Sequence, residues 1–387
     1  MAYEVWTYRD AVDSVLDAFQ SELTPRNTRN ARRAVLEAYR DLAEHRSWSY
    51  FNRRGSITTV PSQTTGTVTY VNSTRTVTLV GATFPTNAKY YEIMISGIRY
   101  DIDTYVDSTH VTLTVASNPG ADIAVATTYI LYRDTYPLPD DFIQMGTLVD
   151  ATNTGRQMQL VPVDYILRSN RAIRTVGVPL LYAVTKVYEN QGSLGIVLSP
   201  TPNSARTFDF MYQARPRALQ TEVYSTGTVS VTSGAAAVTG SGTTAWTSKH
   251  VGCLLRFSPD AQSLPTSLAG SPTNDSNPYA IQGIVSAVGG VNSITLADNA
   301  TQTLTSVKYT LSDPIDIEAG AMFTAFLRLC ERAYAVLTGR TDIAARQQLA
   351  DRALYNAVCA DGRNNTIGEP LRGTGSLADL VSSVGNG

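Results

Sequence analysis

Histidine and cysteine are scarce in this 387-residue chain, with three of each. His45, His110 and His250 stand apart from one another and from any second ligand, and Cys253, Cys330 and Cys359 form no CxxC pair. Zinc and iron sites need several such side chains at short, regular spacings, so no metal centre and no cofactor is expected. Cys330 and Cys359 fall within apolar helical patterns, and three widely spaced thiols read as reduced core residues of a protein assembled in the cytosol. GxGxxG, GxxxxGK[ST] and GxSxG are missing as well; GSGTT (240 to 244) lies between strand signals, where a phosphate loop would instead open a helix, and reads as a turn. Charge is also low, at 17% Asp, Glu, Lys and Arg with a formal net charge of −2. No long-range field draws this chain onto nucleic acid or anionic lipid, so any DNA contact has to be local and geometric. No run approaches ~18 uninterrupted apolar residues, and the opening MAYEVWTYRDAVDSV carries acids where a signal peptide needs a basic start. Neither secretion by that route nor a membrane span is expected.

What is abundant is Thr, Ser, Val, Tyr and Gly, a composition that favours strands and turns. Helical periodicity is confined to the two ends. Val12, Val15, Leu16, Phe19 and Leu23 recur at helical spacing, and Thr24-Pro25 caps and starts a second helix to about Arg46. Its apolar face carries Val35, Ala38, Tyr39 and Leu42, and another face carries Arg26, Arg29, Arg33 and Arg40. Those arginines are either a solvated face or a surface for phosphate or an acidic partner. Near the other end, Phe323, Phe326, Leu327, Cys330, Tyr334 and Leu337 mark a helix stopped at Thr338-Gly339, followed by a helix from about Asp342 to Cys359.

Between these ends the period changes to two. ITTV, GTVTYV, RTVTLV, EIMI, IRYDI, VTLTV and TTYILY are short β-branched or aromatic runs separated by Gly, Asn, Ser and Pro. A second β-rich block starts at Gly227 and aligns with the first, Gly66 with Gly227, Val77 with Val238, and Phe84 with Trp246 after a slip of one residue. A duplicated module is the expectation. The overall expectation is an α+β chain: a four-helix bundle built from N- and C-terminal helical hairpins, a β-strand meander, and two inserted small β-barrel or sandwich modules. The expected segments are a helical hairpin at 1–54, the first β module at 55–139, the meander at 140–220, and the second module at 221–315. A helical hairpin at 316–362 and an extended tail at 363–387 complete the chain.

YPLPDDF (136 to 142) poses the one question of chemistry. Adjacent carboxylates on one segment point different ways, whereas a general acid/base pair has to face across a substrate. Asp140 and Asp141 therefore read as a cap or turn, Pro137 and Pro139 as a stop to strand pairing, and Phe142 as a return to the core. With Asp313, Asp316 and Glu318 the only other acidic group, and with no convergent nucleophile and base, no enzyme is expected.

Trp48, Tyr50 and Phe51 after the first hairpin, the YPLPDDF junction at Tyr136, Pro137, Pro139, Asp140, Asp141 and Phe142, LSPTP (198 to 202), YQARPRAL (212 to 219) and the terminal helical pair together form an ordered series. That series resembles the head-to-tail adaptor, or connector, proteins of tailed bacteriophages. The resemblance spans most of the chain in segment order; this chain departs from the shorter adaptors in carrying the module at 227 to 312. It implies a virion protein at the head–tail junction, assembled in the host cytoplasm as a homo-oligomeric ring, usually of twelve copies. Its implied partners are the portal protein, tail or nozzle proteins and fibres, and double-stranded DNA passing through and contacted non-specifically, with no membrane. The C-terminal segment would reach the portal, making Asn364, Arg372, Leu377 and Leu380 candidate portal-facing residues. Two other readings stay open at this point: a receptor- or glycan-binding tail component, and a tail-tube gatekeeper.

Overall fold

The structure, a computed structural model, describes residues 5–152, 155–172, 176–186, 194–269 and 279–368. The chain forms two compact units, Met1–Tyr50 together with Pro216–Gly387, and Phe51–Arg215. The first unit opens with helices α1 (Tyr8–Ala18) and α2 (Pro25–His45). In α1 the side chain of Thr7 accepts from the Asp10 amide while the Asp10 carboxylate accepts from the Thr7 amide, a capping box that satisfies two orphan donors at once. Thr24 and Pro25 start α2 as the sequence leads one to expect, and Ala31, Val35, Ala38, Tyr39 and Leu42 form its buried face.

The second unit begins with β1 (Asn52–Thr58) and then a seven-stranded sheet. Its strands are β2 (Thr67–Val71), β3 (Thr76–Val80), β4 (Glu92–Ile95), β5 (Ile98–Asp107), β6 (His110–Leu113), β7 (Ile123–Thr127) and β8 (Tyr129–Tyr132), in the order β7-β2-β3-β6-β5-β4-β8. β7 and β8 lie at opposite edges although Thr128 alone separates them. In a flat sheet at ~4.8 Å per strand those edges would stand about 29 Å apart, far beyond the ~7 Å that one linking residue spans. The sheet therefore curls on itself. β5 turns the corner: Ile98–Asp101 pair with β4, Ile102–Asp107 pair with β6, and the register breaks between Ile102 and Thr104 and again between Tyr105 and Asp107. Inside lie Val68, Tyr70, Val77, Ile93, Val111 and Leu131, the alternate residues of each strand.

The rest of this unit is a strand-rich scaffold. β9 (Thr135–Pro137), β10 (Phe142–Asp150), β11 (Arg156–Gln157), β12 (Gln159–Leu160), β13 (Val176–Gly177), β14 (Leu181–Lys186), β15 (Leu194–Ser199), β16 (Thr201–Pro202) and β17 (Thr207–Ala214) form sheets ordered β1-β17-β10-β11, β12-β14-β15-β9 and β13-β16. Helix α3 (Val163–Ala172) lies against β14 and β15. Tyr136, Phe142, Leu148, Ile196, Phe208 and Phe210 belong to its core.

Back in the first unit, β18 (Val229–Val231), β19 (Ala237–Gly240), β20 (Leu254–Phe257), β21 (Ile281–Gly290), β22 (Ser293–Leu296), β23 (Leu304–Val307) and β24 (Tyr309–Ser312) form another seven-stranded sheet, ordered β23-β18-β19-β22-β21-β20-β24. Strand for strand this is the order of the first, and Lys308 alone links the two edge strands. The long corner strand β21 breaks register between Val285 and Ala287 and between Val288 and Gly290, the same two places as in β5. Val77 faces Val111 as Val238 faces Ile294, and the amides of Phe84 and Trp246 bond the carbonyls of Ser108 (2.7 Å) and Val291 (3.1 Å) at matching turns. Gly66 and Gly227 share a left-handed conformation, φ +90° and +88°, in which a Cβ would collide with Val80 O or Ser241 Oγ. Tyr129 and Tyr309 close each barrel alike. The Tyr129 hydroxyl donates to Thr65 O (2.9 Å) and accepts from Gln63, while the Tyr309 hydroxyl donates to Thr226 O (2.8 Å) and accepts from the Trp246 indole. Helices α4 (Ala321–Thr338) and α5 (Ile343–Gly368) complete the unit, with Tyr39 against Phe326 and Phe19 against Tyr334.

The expected four-helix bundle with small β insertions is overturned. The fold is mostly β, with two curled seven-stranded sheets and several others, and only 25% of it is helical. The reason is local: Thr- and Val-rich period-two sequence commits most of the chain to strands, and α1, 11 residues long, is fastened at its N-terminus to the second barrel through Tyr8 N–Asp313 O (2.7 Å). Boundaries move as well. ITTV falls on and just beyond β1, which pairs with β17 outside the barrel, so the first barrel runs from Thr67 to Tyr132. α5 extends to Gly368, past the Cys359 end expected from sequence and through the first residues of the expected extended tail. α3, which sequence reading passed over, sits inside the meander.

Each closing tyrosine holds two hydrogen bonds in a site from which water is excluded. Tyr129→Phe and Tyr309→Phe are each expected to lower unfolding free energy by about 1–2 kcal/mol, read from urea midpoints at unchanged m-value.

Candidate functional site

Several charged side chains of this protein are buried where elements meet inside each unit. Asp10, fully buried, accepts from Arg256 on β20 (2.9 Å), from Thr7 N (2.8 Å) and Thr7 Oγ1 (2.9 Å), and from Ser267 Oγ and Leu268 N (2.9 Å each). Arg256, itself buried, also donates to Val5 O (2.7 Å) and stacks over Tyr279. One ion pair thus bolts α1 to the second barrel. Burial pushes the Asp10 carboxyl up, but the hydrogen bonds and charge of Arg256, with the Thr7 and Leu268 amides, outweigh it and hold the pKa below the ordinary 3.8. Neighbouring Asp13 goes the other way: its burial outweighs Arg9 and raises its pKa.

Asp313, just beyond β24, is a second junction. Its carboxylate accepts from Gln220 N and Thr221 N (2.6 Å each), from Arg217 (3.0 Å) and from the Cys253 thiol (3.2 Å). Burial first, then the Asp313 charge, pushes the Cys253 thiol up to about 12, so it stays protonated and inert at neutral pH. Asp316, from the same acidic group, accepts from Tyr50 (3.1 Å). Glu222 pairs with both Arg9 and Arg32, Asp361 on α5 accepts from Ser49 N (2.8 Å) and pairs with Arg46, and in the second unit buried Asp150 pairs with Arg206 (3.0 Å). Asp10, Asp313, Glu222, Asp361 and Asp150 are thus held by guanidinium groups and amides of the fold and brace its elements.

The junction residues lie in the second unit. Tyr136 and Pro137 belong to β9, which pairs with β15, so Tyr136 does not end the barrel and Pro137 does not stop pairing; Leu138 N still bonds Leu194 O (2.9 Å). The turn follows at Pro139, whose carbonyl accepts from Phe142 N (3.0 Å). Asp141 accepts from the Tyr212 hydroxyl (3.0 Å), its carbonyl accepts from Arg215 N, and Phe142 stacks on Tyr212 in the core. YPLPDDF and the strand end at Tyr212 and Arg215 are therefore neighbours in space. Asp140 sits in the turn beside them.

Arg26, Arg29, Arg33 and Arg40 are exposed on α2. At 100° per residue all four fall within about 60° of one another, a single stripe. Arg33 pairs with Glu37 (2.7 Å). Asn364 lies in α5, while Arg372, Leu377 and Leu380 lie outside the described residues.

Two open cavities lie among the described residues, each within one unit. One of ≈ 440 Å³ in the first unit touches Arg9, Asp13, Leu254, Arg256 and Ser312, and one of ≈ 810 Å³ in the second touches Tyr90, Tyr91, Glu92, Arg99, Asp101 and Lys186. Among the described residues no group of three or more His, Cys, Asp or Glu could hold a metal ion, and no helix is long and apolar enough to cross a membrane. Compared with known proteins, the chain matches no family model, and no curated protein matches it in sequence. The braces at Asp10 and Asp313 escaped sequence reading. The spacing Thr7-x-x-Asp10 carries the capping-box signal, but nothing in the sequence joins it to Arg256, 246 residues away.

A depressed carboxylate pKa contributes stability that is complete above the unfolded value and lost as pH falls through the folded one; the raised pKa of Asp13 has the opposite sign, its contribution fading as pH rises. Asp10→Asn is expected to cost about 3–5 kcal/mol at neutral pH and to flatten the decline of stability below the ordinary carboxylate pKa, as urea titrations across pH would read. The double variant Asp10→Asn with Arg256→Met should cost less than the sum of its singles. At the junction, Asp141→Ala removes the Tyr212 bond at a half-exposed site and should cost about 1 kcal/mol, measured by the same melts.

Proposed function

We propose that this protein is a structural component of a phage virion, a head-to-tail adaptor that closes into a ring between portal and tail around the DNA passage. The segment order of the sequence supports the reading. The observation that carries it is the internal bracing. The buried carboxylates at Asp10, Asp313, Glu222, Asp361 and Asp150 each bind a guanidinium or an amide of their own unit. Bracing of this kind suits a subunit whose work is to hold its neighbours in place. Each unit contributes a closed barrel of the same strand order. A ring arises from a heterologous contact, in which one patch meets a different patch on the next copy and rotation closes the set.

The test is assembly. Purified protein mixed with its portal is expected to give ring-shaped particles by electron microscopy and a matching oligomer mass. A stable monomer in the presence of portal, or glycan binding without portal binding, would count against the adaptor.

A further inference from the structure

We infer that the arginine stripe of α2 is a contact surface for the phosphate backbone of duplex DNA. Arg26, Arg29, Arg33 and Arg40 are all exposed, and their helical angles confine them to a strip about 60° wide and about 21 Å long. Arg26, Arg29 and Arg40 pair with no carboxylate among the described residues. Arg33 pairs with Glu37 and Arg32 with Glu222, so the stripe's arginines without a carboxylate partner among the described residues are Arg26, Arg29 and Arg40.

Three features favour phosphate over a protein partner. No large apolar residue of α2 is exposed, so the stripe lacks the hydrophobic centre on which protein interfaces depend, whereas phosphate contacts need none. Every cation of α2 other than His45 is an arginine, the side chain whose planar fork matches phosphate. The preference runs through the chain: Lys89, Lys186, Lys249 and Lys308 are its lysines, leaving 27 of the 31 basic residues as arginine (31 − 4). Glu37 and Glu44 lie on the same side toward the helix C-terminus, and Asp41 is paired with Arg332 (2.9 Å). The attractive part is accordingly the N-terminal half, at Arg26 and Arg29, with Arg33 shared with Glu37. A surface of three or four guanidinium groups on a chain of net charge −2 holds DNA weakly and without regard to sequence, which lets the duplex slide.

The choice of duplex as the polyanion rests on the adaptor reading; the charge geometry does not. Binding of a labelled duplex of about 30 base pairs by the full chain should weaken steeply with salt, each neutralised phosphate adding about −0.9 to the log–log slope. The triple variant R26Q/R29Q/R33Q should bind at least about tenfold more weakly at low salt and lose about 1.8 from that slope, or about 2.7 if Arg33 leaves Glu37 for phosphate, with unfolding midpoint and ring formation with portal unchanged. The inference is overturned if wild type shows no salt-dependent duplex binding, or if the variant binds as tightly as wild type. It is also overturned if polyglutamate displaces the duplex at lower charge concentration than competitor DNA, or if the variant loses ring formation while keeping duplex binding. Loss of duplex binding by the variant in a protein that forms no ring with portal would leave the stripe standing and remove the adaptor.

Discussion

The constraint on which this fold depends is the single-residue link between the edge strands of each seven-stranded sheet, Thr128 in one and Lys308 in the other. Because so short a link cannot cross a flat sheet, both sheets have to close, and closure dictates the rest. A long strand has to turn the corner, so β5 and β21 each lose register twice at matching positions. The alternate residues of every strand then converge on one interior. A tyrosine at the start of the last strand, Tyr129 or Tyr309, has its hydroxyl turned toward a fixed backbone carbonyl.

Identical topology does not make the two barrels interchangeable, because the residues on their outer faces differ. Arg256 on β20 faces out of the second barrel and meets Asp10 of α1; by strand register its counterpart on β4 is Met94. Asp313 follows β24 and gathers the linker at Gln220 and Thr221, where the first barrel continues from β8 into Arg133 and then β9. The second barrel thus holds α1 through Arg256 together with Tyr8 N–Asp313 O, contacts for which Met94 offers no charge in the first. The buried pair costs desolvation of both ions, and the five hydrogen bonds that the Asp10 carboxylate accepts are what make it tolerable.

Much of this was legible locally. Thr24-Pro25 marks the start of α2, Gly339 stops α4 in the left-handed conformation, and period-two runs announce most barrel strands. The paired positions Gly66/Gly227, Val77/Val238 and Phe84/Trp246 do occupy equivalent places. Misreadings came where an element is defined by a distant partner. ITTV has strand character, but only β17 decides that β1 lies outside the barrel. Tyr136-Pro137 looks like an ending, yet β15 supplies a partner and the strand goes on. The expected four-helix bundle with small insertions failed in its proportions: the terminal helices do meet, Tyr39 against Phe326 and Phe19 against Tyr334, but strands carry most of the chain.

The sequence by itself determined where backbone periods change, that α2 starts at Thr24-Pro25 and α4 stops at Gly339, that the chain contains two related β blocks, and that four arginines share one side of α2. Each of these is a matter of neighbours within a few residues, or of comparing one stretch with another. Tertiary structure alone decided that the sheets close, that Asp10 answers Arg256 and that Asp313 answers Arg217 and Cys253. Charges so far apart in sequence carry no mark of their partner, because the energy that selects a buried pair exists only once the fold has excluded water from both.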